Sequence, residues 1–247
     1  MATIDLNCDM GETLGNRPES TDEALLQYVS SANIACGFHA GDPRRMALTV
    51  AAALRHGVAI GAHPGLPDLQ GFGRHERPIS PDEVYQITLY QIGALHGFAK
   101  AADGRLHHVK PHGALYNMAA RDANLAEALV AAVYDFDPVL VLYALAGSEM
   151  IRVAQKKGLR VAAEGFIDRT YQPDGLLTPR THPNALINDI EKSVNQSIIM
   201  CEKVDTLCIH GDSPRAVKLA KAVHEALTRL GVVIGPPFTT AENNPRQ

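Results

Sequence analysis

The absences in this sequence narrow its possible functions. The four cysteines, Cys8, Cys36, Cys201 and Cys208, form no C-x-x-C pair, which removes the commonest redox and zinc motifs and leaves buried reduced thiols as the expectation. There is no basic surplus: 23 Lys and Arg stand against 27 Asp and Glu, with a net charge of −4 and a pI near 6.2. That balance argues against nucleic acid or an anionic membrane as the main partner. No apolar run approaches the length of a membrane span, and no basic-then-apolar leader is seen, so a cytoplasmic location is expected. Neither a G-x-G-x-x-G after the first apolar run nor a P-loop occurs, so two well-marked nucleotide cradles are missing.

What is present has a clear rhythm. The 247 residues are 46% apolar and 20% charged, an ordinary globular balance, expected to form one domain over residues 1–247. Seven short apolar runs recur: "TIDLNCD", "SANIACG", "GVAIGAHPG", "RLHHVKPHG", "PVLVLYALAG", "LRVAAEGF" and "VDTLCIHGD", with a shorter eighth, "GVVIG". Helical patterns lie between them. Ser80, Pro81 and Glu83 make a capping box before one of these, and "PNALINDIEKSVNQSIIMCEK" and "PRAVKLAKAVHEALTRLG" have amphipathic spacing. Alternating near-continuously apolar strands and helices predict a parallel sheet covered by helices. An open sheet gathers its site at one switch point, whereas polar residues here end most of the strands. The expected fold class is therefore α/β, a closed (β/α)7-type barrel, with seven strands rather than eight because the last run is short.

The strand ends carry the chemistry. "NCDMGE" sets Asn7, Asp9 and Glu12 after the first run, as metal ligands, general bases, hydrogen-bond anchors or simply a solvated loop. "ANIACGFHAGDPRR" adds Asn33 and His39 just before Asp42-Pro43, a helix N-cap whose helix start suits an anion. His63 ends the third run, so Asp9, His39 and His63 are one conceivable divalent-metal set. "VKPHGALYN" places Lys110 at the end of a buried strand, costly unless it meets an anion or developing negative charge, with His112 beside it as acid, base or loop tie. "EGFIDRTYQPDGLLTPR" supplies Glu164 at a strand end, then Asp168, Arg169 and Arg180 on a long loop. Either Arg there suits a carboxylate or phosphate, unless Asp168 and Arg169 form only a surface ion pair. Gly71 and Gly73 around Phe72 indicate close backbone approach in a second long loop. "CIHGD" adds His210 and Asp212, echoing the strand, His and Gly-Asp order of "CGFHAGD".

The blocks "NCDMGE", "ANIACGFHAGD", "HPxxPDLxGFGR", "VKPHGALYN", "DRxYxxDGxLxxR" and "CIHGD" occur in this order. Together they resemble the LamB/YcsF family, from Ile4 to about Pro237. Gly65, Leu66 and Ile167 depart mildly from the pattern, and the charged positions are kept. The resemblance implies a barrel of the glycoside hydrolase/deacetylase type. It also implies ATP-dependent opening of 5-oxo-L-proline to L-glutamate, with ADP and phosphate release, alongside 5-oxoprolinase subunits B and C. On that implication the catalytic set is Asp9, His39, His63, Lys110 and Glu164. The substrate contacts are Asn7, Glu12, Asn33, His112, Arg169, Arg180, His210 and Asp212. ATP is the expected co-substrate, and a divalent metal stays open. An unstrained lactam is a resonance-stabilised amide, and phosphorylating its oxygen is a reason for ATP. Two rival readings are a free-standing metal-dependent amidohydrolase or deacetylase, and a non-catalytic substrate-binding component of the complex.

Overall fold

The computed structural model describes residues 2–12, 20–211 and 214–238. Each of the seven longer apolar runs contains a strand: β1 (Thr3–Met10), β2 (Ser31–Ala35), β3 (Ala59–His63), β4 (Leu106–Val109), β5 (Val141–Leu145), β6 (Arg160–Phe166) and β7 (Thr206–Ile209). All pair in parallel with their sequence neighbours, and β1 pairs with both β2 and β7, closing a seven-stranded barrel. The eighth run is a two-residue strand, β8 (Val233–Ile234), which adds only to Thr3 and Ile4 at the start of β1.

Helices α1 (Ser20–Leu25), α2 (Pro43–His56), α3 (Pro81–Ala101), α4 (Gly113–Arg121), α5 (Ala123–Phe136), α6 (Glu149–Lys157), α7 (Ile190–Met200) and α8 (Ala216–Arg229) occur between the strands. Asp42 accepts from the Arg45 N–H at 2.8 Å and Ser80 from the Glu83 N–H at 3.1 Å, so α2 and α3 start at the prolines that follow these caps. α7 starts later than its amphipathic pattern. Residues 183–189 belong instead to the loop after β6, where Ile187 N–H bonds the Asp168 carbonyl, and Asp189 caps the helix.

The strands are not uniformly apolar, and the difference matters. Along β1, Ile4, Leu6, Cys8 and Met10 join the apolar layer beneath the helices. Asp5, Asn7 and Asp9 alternate with them and make contacts across the barrel interior. Near one end, Asp5 accepts from Ser30, Ser31 and Thr206 hydroxyls at 2.6–2.8 Å, while Ser31 meets Tyr143. Asn7, Asn33, His108 and Glu164 form a further buried polar layer, with Asp9, Lys110 and Cys208 beyond it. A polar interior of this kind is tolerable only because its members find partners.

Candidate active site

Strands of a closed parallel barrel all end at one mouth, so residues distant in sequence converge there. The mouth holds a cavity of about 420 Å³ whose wall includes Asp9, His63, Lys110, His112, Arg180 and His210. The loops after β3 and β6 border it, contributing Arg74 and Arg169 among others, and the first turn of α4 adds Gly113, Ala114 and Tyr116.

Lys110 Nζ lies 2.8 Å from Glu164 Oε1, 3.1 Å from Asp9 Oδ1, and 3.0 Å from both Asn7 Oδ1 and Cys208 Sγ. Burial by itself would favour the neutral amine, but Asp9, Cys208 and Glu164 raise its pKa well above the usual lysine value. Burial likewise works against an ionised Asp9, yet His63 and Lys110 hold that carboxyl well below its ordinary range. The anions that a buried Lys110 was expected to meet are the carboxylates of Asp9 and Glu164. Its ammonium is surrounded by groups of the barrel interior, where it fixes both carboxylates.

Three expectations change because of such contacts. Asn7 donates to Glu164 Oε1 and Thr206 Oγ1 at 2.9 and 2.7 Å, and accepts from Asn33 at 2.7 Å. Asn33 donates to Asp9 Oδ1 at 2.9 Å and accepts from His108 at 2.7 Å. Glu164 accepts from Lys110, Asn7 and the Tyr116 hydroxyl, the last at 2.7 Å. None of the three is exposed or lines the cavity. They position Asp9 and Lys110 rather than meeting a ligand.

His210 presents a different arrangement. Its Nδ1 sits 2.8 and 2.9 Å from the two Asp168 carboxylate oxygens, and its backbone N–H donates to the same group at 3.3 Å. Burial would raise the Asp168 pKa, but the His210 contacts bring it below the ordinary carboxylate value. With Nδ1–H donated to Asp168, the neutral ring keeps its lone pair on Nε2, on a side chain that lines the cavity. A ring nitrogen of His210, a carboxylate oxygen of Asp9 and Cys208 Sγ all lie within 4.8 Å of one another. The surface ion pair between Asp168 and Arg169 is not formed.

Glu12, His39, His63 and His112 make a second cluster, with donor atoms within 4.8 Å of one another. His39 does not reach the cavity. It lies behind His112, ring stacked on ring at 3.7 Å, and burial followed by the His112 charge pushes its pKa down to about 3. Burial also lowers His112. The close approach anticipated around Phe72 is real: its carbonyl accepts from His112 Nε2 at 2.8 Å, and a Cβ on Gly73 would come within 2.6 Å of His39.

The two loop arginines divide. Arg169 turns into its own loop, donating to the Thr178 carbonyl at 2.6 Å and the Ala185 carbonyl at 3.3 Å. Burial and the charge of Arg180 lower its pKa to about 10. Arg169 is thus largely a stitch in the loop, while Arg180 also lines the cavity. Asp212 lies outside the described residues. The helix start at this cavity is that of α4, where His112 occupies the cap position and its ring bonds elsewhere, rather than that of α2. Sequence reasoning missed Tyr116, Thr206 and the Asp168–His210 pair. The alternation in β1 was a usable signal for the interior layer, but nothing local marked Tyr116.

Fold and site together define a seven-stranded β/α barrel with an ionisable cluster at its mouth; the barrel fold is one that deacetylase domains also adopt. The catalytic domain of peptidoglycan N-acetylglucosamine deacetylase from Eubacterium rectale superposes with a TM-score of 0.54 at 11% identity, covering 100% of this chain and 93% of that one. The LamB/YcsF family pattern matches residues 4–242. This chain belongs to the LamB/YcsF family. It is 55% identical to the 5-oxoprolinase A subunit of Geobacillus thermodenitrificans, over 95% of this chain and 96% of the relative. The crystal structure of the lactam utilization protein from Thermus thermophilus is 46% identical, with a TM-score of 0.87 over 94% of this chain and 99% of that chain.

Proposed function

We propose that this chain is the A component of a cytoplasmic, ATP-dependent 5-oxoprolinase, and that its barrel mouth opens the lactam ring of 5-oxo-L-proline. Its 55% identity to the 5-oxoprolinase A subunits of Geobacillus thermodenitrificans and Bordetella parapertussis supports the substrate. The single structural observation that carries the reading is the Asp168–His210 pair, an oriented imidazole beside the ionised Asp9 in one cavity. That is the equipment of a general base.

The chemistry accounts for the co-substrate. Transfer of a phosphoryl group from ATP to the lactam oxygen makes the ring carbon electrophilic. Water then adds to that carbon, with His210 Nε2 taking its proton. The C–N bond breaks, its electron pair staying on nitrogen, which is protonated. The resulting acyl phosphate takes up a second water to give L-glutamate and phosphate. Arg74 and Arg180 bring positive charge to the cavity, suited to the substrate carboxylate and the phosphoryl group. Nucleotide handling falls to 5-oxoprolinase subunits B and C, since no P-loop is present in the sequence.

The test is glutamate formation from 5-oxoproline and ATP, with this chain alone and after adding subunits B and C. Little turnover alone and full turnover on reconstitution are expected. Full turnover by the single chain would show that the ATP chemistry has been misplaced. A non-catalytic role predicts that a reconstituted complex tolerates Asp168→Asn, whereas the reading here predicts loss of glutamate formation.

A further inference from the structure

Most polar groups of the cavity wall are already committed to the protein. Lys110 and Tyr116 are bonded to Glu164, His112 to the Phe72 carbonyl, and Arg169 to carbonyls of its own loop. His75 pairs with Asp68 at 3.2 Å, and Glu76 with Arg121. Among the described residues of the wall, two neutral side chains have no hydrogen-bond partner, Asn117 and Thr181. Thr181 is exposed on the loop after β6, whereas Asn117 is half-buried on α4.

Helical spacing puts Gly113, Tyr116 and Asn117 on one face of α4, and all three line the cavity. The Tyr116 ring stands edge-on to Phe166 at 5.7 Å, and Phe166 in turn stacks on His210 at 5.5 Å. This face of α4 and the His210 imidazole thus meet the same cavity across one apolar ring. A carboxamide offers there what no charged neighbour can. The guanidinium groups of Arg74 and Arg180 only donate and the ionised Asp9 only accepts, while Asn117 presents a donor and an acceptor side by side. A five-membered lactam has the matching pair, because ring closure holds its amide cis and keeps the N–H and C=O on one edge.

We propose that Asn117 reads the lactam edge of 5-oxo-L-proline, donating from Nδ2 to the ring oxygen and accepting the ring N–H at Oδ1. This contact presupposes the 5-oxoprolinase reading above and adds to it the group that tells the closed ring from its open product. The second lone pair of the ring oxygen stays open for the phosphoryl group. L-Proline lacks that oxygen, and L-glutamate, with the C–N bond broken, no longer holds donor and acceptor on one edge.

The test is calorimetric titration of the complex reconstituted with subunits B and C, without ATP. It compares 5-oxo-L-proline with the corresponding γ-lactone, in which an oxygen replaces the ring N–H and the shape is kept. The wild type should bind the lactam at least about tenfold more tightly than the lactone. Asn117→Ala and the isosteric Asn117→Asp should each weaken lactam binding at least about tenfold, with thermal midpoints close to the wild type. Asn117→Ala should also bring the two ligands within about threefold of each other, a change that a merely structural role would not produce. Equal binding of lactam and lactone by the wild type would overturn the role of Asn117 while leaving the substrate intact. So would unchanged lactam affinity in both variants, or an undiminished preference for the lactam in Asn117→Ala. Absence of 5-oxo-L-proline binding by the wild-type complex would overturn the substrate reading and this contact together.

Discussion

Lys110 and Glu164 meet at 2.8 Å inside the barrel, with side chains only 2% and 0% exposed. A buried pair of this kind matters most when one partner is removed, because the survivor is left as an uncompensated charge. Lys110→Met should therefore cost about 3–5 kcal/mol of stability, read from urea unfolding. Adding Glu164→Gln to it should cost less than the sum of the two single changes. Additive losses would show that the two groups are not coupled.

Asp168 governs the tautomer of His210. Asp168→Asn keeps the size of the side chain but removes the charge that fixes Nδ1–H. Glutamate formation by the reconstituted complex should fall on the order of 10²–10⁴-fold, with little change in thermal stability. Unchanged turnover would remove His210 from the proposed chemistry.

Arg169 serves the loop rather than a ligand directly. Its fork joins the Thr178 and Ala185 carbonyls, so Arg169→Ala should open the segment 169–187 to limited proteolysis. Arg180→Ala should leave the digestion pattern intact and raise KM for 5-oxoproline. Identical digestion of the wild type and Arg169→Ala would contradict the assignment.

His108 sets a pH dependence of stability. Its Nε2 donates to Asn33 at 2.7 Å, and burial, followed by the charges of His107 and Lys110, keeps its pKa well below the ordinary histidine value. The unfolded chain thus takes up a proton near pH 6.5 that the folded chain refuses. Stability from this group is complete above that pH and declines as pH falls below it. The slope is about 1.4 kcal/mol per pH unit while the native ring stays neutral. Half-buried His107, also lowered mainly by burial, adds in the same direction. The urea midpoint should drop between pH 7.5 and 5.5, and His108→Gln should flatten that drop.

Much of the fold was legible in the sequence because its signals are local. Strand runs, the Asp42 and Ser80 caps and the shortness of "GVVIG" depend on near neighbours, and each corresponds to an element observed. The placing of polar residues at strand ends argued for a barrel, and the barrel closes. The alternation of Asp5, Asn7 and Asp9 in β1 was visible too, but strands that read as nearly all apolar concealed the polar interior.

The sequence by itself determined which residue types could reach the mouth: Asp9, His63, Lys110, His112 and His210 stand at or just after strand ends, Arg180 stands on the long loop after β6, and all line the cavity. Only the tertiary structure decided what each one meets. Lys110 is held by Asp9 and Glu164, Arg169 by carbonyls of its own loop, and His210 by Asp168. The physical reason is barrel closure, which brings side chains from distant strands within a few ångströms. Hydrogen-bond direction and burial then fix their roles, and neither is encoded in the spacing of residues along one strand.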